Sequence, residues 1–152
     1  MDLAEFERDW EIGEAEIRRI DWRRQYRDLV LQVHGVRDRQ SHPDDPLGYS
    51  YAVNGELTFV SCARVCFDRS LEYVDSDIEE WGSGSWTIVA IVEDEMRWPD
   101  REELVDDGPQ FYAVNVDDSR IGWSRDWIHI VCRDLKFNVL GPATDMETPL
   151  RP

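Results

Sequence analysis

YSYAVNGELTFVSCARVCF, residues 49–67, is the stretch that decides the fold class. Two apolar runs flank Asn54-Gly55, a pair that tolerates positive φ, and the pattern predicts a tight β-hairpin with its turn at those two residues. Alternation puts Leu57, Phe59, Ser61, Ala63, Val65 and Phe67 on one face of the second arm. Thr58, Val60, Cys62, Arg64 and Cys66 fall on the other. The hairpin is expected to form the middle of a sheet.

Working upstream, Asp38 to Gly48 consists of turn residues and reads as a loop. Before it, Leu29, Leu31 and Val33 alternate with Val30, Gln32 and His34, which predicts a strand over 28–36 apolar on both faces. A polar turn at Arg24-Gln25 separates it from a strand over 15–22 with an irregularity at Arg18-Arg19. Leu3, Phe6 and Trp10 have helical spacing, so a short helix capped by Asp2 is expected before Gly13.

Downstream, Ser76-Asp77-Ile78-Glu79 has the form of a helix capping box. A β-branched strand follows over 86–93, in which Trp86, Ile88, Ala90 and Val92 oppose Thr87, Val89 and Ile91. Pro99 and Leu104-Val105 predict a helical turn within an acidic loop ending near Gln110. Strands are expected over 110–116, 121–132 and 135–139, with a turn near 117–119 and a poorly ordered tail from Gly141. The sum is one mainly β domain over residues 1–140: an antiparallel sheet, half-open barrel or small sandwich of about seven strands with short helical insertions.

Charge is the strongest compositional signal. The 152 residues carry 33 acids and 17 bases, a net −16, and Lys136 is the single lysine. Such a balance repels nucleic acid and anionic membranes and favours either a basic protein partner or nothing more than solubility. The charge is also segregated. Residues 1–16 hold seven acids against one arginine, residues 17–40 hold seven arginines against three acids, and residues 68–107 hold fourteen acids against three arginines. Asp75, Asp77, Glu79 and Glu80 surround Trp81 in the last block. Glu93, Asp94, Glu95, Asp100, Glu102, Glu103, Asp106 and Asp107 surround Trp98. An aromatic ringed by carboxylates suits an arginine- or lysine-rich surface, so these residues are the candidate partner-binding set. Trp22, Trp86 and Trp127 lie on strands and are expected in the core.

Catalytic signatures do not emerge. No nucleophile elbow, phosphate loop or HExxH motif is present, and His34 and His129 read as half-buried structural residues. Cys62, Cys66 and Cys132 read as buried free thiols, because C-x3-C in an extended strand is too long for a zinc knuckle. No cofactor or metal is expected. The acidic N-terminus is unlike a secretory signal and no apolar run is long enough to span a bilayer, which predicts a cytoplasmic protein.

Three segments together resemble a group of small bacterial proteins that includes immunity proteins of polymorphic and contact-dependent toxin systems. They are AEIRRIDWRRQYRDLVLQV, ELTFVSCARVCF and WIHIVCRDLKFNVL. The likeness is one of hydrophobic pattern, and Gly13-Glu14 stands where the group has a His-Asp pair. It implies a non-enzymatic inhibitor of a basic toxin domain, for which the acidic block would be the contact. The competing expectations are a small-molecule-binding or enzymatic β-barrel with His34 and His129 in its interior, and a structural subunit of a larger assembly.

Overall fold

The computed structural model describes residues 1–39, 52–67, 86–94, 108–118 and 123–143. The expected helical segments around Ser76 to Glu79 and Pro99 to Val105 lie outside these residues, as do residues 40–51 and 144–152.

The chain opens with α1 (Leu3–Asp9), where the Asp2 carboxylate accepts from Glu5 N–H at 2.9 Å and the Glu5 carboxylate accepts from Asp2 N–H at 3.2 Å. This is the expected helix, closed by a reciprocal cap that satisfies two otherwise orphaned donors. Among the described residues nine strands follow: β1 (Trp10–Glu11), β2 (Glu16–Arg23), β3 (Asp28–Asp38), β4 (Ala52–Val60), β5 (Arg64–Phe67), β6 (Trp86–Glu93), β7 (Gln110–Asp118), β8 (Trp123–Cys132) and β9 (Asp134–Pro142). All pair antiparallel in the order β5-β8-β7-β6-β2-β3-β4-β9, with β1 added to β3. The sheet is not closed into a barrel. The mainly β antiparallel architecture is as expected, with more strands than the seven read from the pattern.

Asn54-Gly55 is not a turn. Both residues lie inside β4, where Asn54 pairs with His34 and Gly55 with Val33. The glycine serves packing instead of turning: a Cβ there would lie 2.5 Å from Phe137 Cε1 and 2.9 Å from Asn138 O. Phe137 passes over this bare backbone to reach Phe6, at 5.4 Å between ring centroids, and Trp10, at 4.9 Å. A register shift in the β4–β9 pairing falls between Asn54 and Gly55.

The long second arm of the expected hairpin is also two strands. Ser61 adopts φ +50, the chain turns a corner over residues 61–63, and β5 leaves β4 to pair with β8. The adjacent strand turns the same corner at Arg133, between β8 and β9. Ala63 N–H donates to Val131 O at 2.8 Å and Arg133 N–H to Val60 O at 2.9 Å. A two-stranded ribbon thus bends from one half of the sheet into the other, and the core fills the angle between them. The corner is tied to the β2–β3 turn by Cys62 N–H to Arg27 O at 2.7 Å and Ser61 N–H to Asp28 Oδ1 at 3.0 Å.

The core joins both halves: Phe6, Ile17, Leu31, Leu57 and Phe59 meet Ile88, Val114, Trp127, Ile128 and Ile130. Trp86 and Trp127 stack at 4.5 Å. Trp22 is not in this core; it stands 42% exposed near the end of β2. Alternation in β6 also departs from the expected faces, because a register shift between Ile88 and Ala90 turns Ile91 inward and leaves Val92 exposed. The shift expected at Arg18-Arg19 is present in β2–β3. The tail expected from Gly141 is ordered at its start, where Gly141 and Pro142 belong to β9 and buried Ala143 donates to Ala52 O at 3.0 Å; the rest of it lies outside the described residues.

Candidate functional site

Of the candidate partner-binding residues, the structure describes Glu93 and Asp94. Asp75, Asp77, Glu79, Glu80, Trp81, Glu95, Trp98, Asp100, Glu102, Glu103, Asp106 and Asp107 lie outside the described residues. The two that are seen behave differently.

Glu93 is exposed at the end of β6, opposite Tyr112. It meets the acidic N-terminal arm there. Partial burial holds the Glu7 carboxyl above its ordinary value, with Arg39 pulling it down and the carboxylates of Glu11 and Glu93 pushing it up. Two acidic segments far apart in sequence therefore converge. Sequence reasoning counted the acids of residues 1–16 but did not place Glu7 and Glu11 beside the block; their shared sign was the available signal.

Asp94 is an internal partner. Its Oδ2 accepts from His129 Nδ1 at 2.6 Å, and the two side chains are only 15% and 8% exposed. Strand β7 lies between them, and His129 sits directly across from Ala113, whose small side chain leaves room for the imidazole to reach over. A short contact of this kind between two nearly buried groups is a structural bridge joining β6 to β8. The aspartate is thus withdrawn from the outward-facing acidic set.

Several arginines of the basic segment have local partners. Arg18 pairs with Glu16 at 3.0 Å, Arg19 with Asp21 at 2.9 Å and Arg23 with Glu56 at 3.4 Å. Arg39 pairs with Glu11, and Arg37 donates to Gly13 O at 3.0 Å.

His34 borders a shallow cleft of about 340 Å³ with Arg18, Gln32 and Asn54, while His129 belongs to the β8 bridge. Within that cleft wall the Asn54 Oδ1 is buried without a hydrogen-bond partner. Cys62 and Cys132 are buried free thiols, and Cys66 is half-buried opposite His129 on β5. Burial pushes the Cys62 thiol up to about 11, so it is a poor nucleophile or ligand near neutral pH. Among the described residues no group of three His, Cys, Asp or Glu side chains is placed to hold a metal ion, and no helix is long and apolar enough to cross a membrane. No family model, curated protein or solved structure matches the chain.

Proposed function

We propose that the protein is a non-enzymatic inhibitor that binds a basic protein partner, such as a toxin domain that grips nucleic acid through arginines and lysines, by an acidic surface. The observation that carries the reading is the segregation of charge: fourteen acids against three arginines in residues 68–107. It is supported by the convergence of Glu7 and Glu11 on Glu93 and by the local neutralisation of Arg18, Arg19, Arg23 and Arg39. Concentrated carboxylates of this kind raise association rates with a cationic surface and supply partners for its guanidinium and ammonium groups. The resemblance to immunity proteins is consistent with the same role.

The test is association with a basic domain encoded beside this chain, followed by stopped-flow fluorescence over increasing salt. The association rate is expected to fall steeply with ionic strength. Joint reversal of Glu79, Glu80, Glu93, Glu102 and Glu103 to lysine is expected to slow it at least roughly tenfold. A rate indifferent to both salt and charge reversal rules the acidic surface out as the contact.

A further inference from the structure

Where the β2–β3 turn meets the strand corner, a pocket lies against the edge of the core. It measures about 440 Å³ and is lined, among the described residues, by Ile20, Trp22, Arg27, Leu29, Val65 and Phe67. Its floor is core: Ile20 and Leu29 belong to the central cluster, and Phe67 packs edge-on against Trp127 at 5.7 Å, with Trp86 stacked behind. Small-molecule sites run from about 300 to 1,000 Å³ and are mostly apolar with a few fixed polar groups, a description this pocket meets.

The polar group is Arg27. Its backbone is held at φ +56, its Nε donates to Cys62 O at 2.8 Å and its Nη2 to Ala63 O at 3.5 Å. These bonds fix the guanidinium over the Trp22 ring, 5.6 Å from the centroid, with Nη1 taking no bond from the described residues. Trp22, left out of the core, thereby stands as an aromatic wall. The adjoining turn adds exposed Arg24 beside it, on a molecule of net charge −16.

We infer that the pocket binds a small organic monoanion with an aromatic body, the ring between Trp22, Leu29, Val65 and Phe67 and the carboxylate on Arg27. A cationic ligand would face the guanidinium, and a neutral one would leave the free donors of Arg27 without a charged acceptor. This site is independent of the acidic surface, and its failure would leave the partner-binding proposal untouched.

The experiment titrates the full chain by isothermal calorimetry with 2-naphthoate and with its neutral counterpart 2-naphthylmethanol. The carboxylate is expected to bind roughly tenfold or more tightly, the worth of one charge-assisted hydrogen bond. Arg27→Asn, chosen because asparagine tolerates the left-handed backbone, is expected to remove that preference while leaving naphthylmethanol binding unchanged. Val65→Trp is expected to weaken both by filling the pocket, and circular dichroism verifies that each variant is folded. Equal affinity of the wild-type chain for the two probes overturns the inference, as does binding of neither up to about 1 mM, and these outcomes need no variant. A folded Arg27→Asn chain that keeps the preference for naphthoate overturns the role of Arg27.

Discussion

Gly55 shows how one residue can carry a strong local signal and serve a different purpose. Asn-Gly is the commonest chemistry of a tight hairpin turn, yet here the pair is paired on both sides within β4. What the glycine provides is a missing Cβ under the Phe137 ring, an arrangement in which an aromatic covers the gap that glycine leaves in a sheet. The partner lies on β9, far along the chain, so no window around residue 55 contains the reason. Gly55→Ala is therefore expected to destabilise the fold by about 1–3 kcal/mol, the usual cost of forcing a group into a packed site. Urea denaturation would measure it. Pairing the substitution with Phe137→Leu should recover part of the loss, since the ring is one of the two obstacles and Asn138 O is the other. If the double variant loses the full sum of the single losses, the ring is not what requires glycine.

Elements were legible where the cause of their form is local. The Asp2 and Glu5 cap, the Arg18-Arg19 irregularity and the strand-forming runs of β3, β7 and β8 all follow from neighbours within a few residues. The corner at Ser61 was not, because it depends on Arg27 O and Asp28 Oδ1, supplied by another turn. The candidate site divides in the same way. Segregated charge is visible in the chain, but Asp94 reads as one more acid until β8 brings His129 to it. That bridge staples β6 to β8 across β7. Asp94→Ala would leave a nearly buried imidazole N–H without its acceptor and is expected to cost about 1–3 kcal/mol in urea denaturation. Asp94→Asn, which keeps an acceptor oxygen, should cost less. Equal losses in the two variants would mean that the carboxylate is valued for packing and not for the bond.

For the molecule as a whole, the bent sheet closes a single core over three weak acids, and this sets an alkaline limit on its stability. Burial raises Cys62 from 9.0 to about 11. Burial first, and then the nearby Cys62, raise Cys132, while burial and then Cys132 raise Tyr112. Each group binds its proton more tightly folded than unfolded. Its contribution is whole below the unfolded pKa, near 9.0 for the thiols and 10.0 for the phenol, and is lost as pH rises toward the folded value. Each can remove up to about 1.4 kcal/mol per pH unit once the unfolded chain has released its proton and the folded one has not. The urea midpoint is therefore expected to hold level up to about pH 9 and then fall with increasing steepness. Tyr112→Phe tests the cause. It gives up the hydroxyl's bonds to Leu3 N–H and Gln110, so it should begin less stable at neutral pH. Its decline above about pH 10 should nevertheless be shallower by one group's share, and a slope identical to the parent chain would remove Tyr112 from the set that imposes the limit.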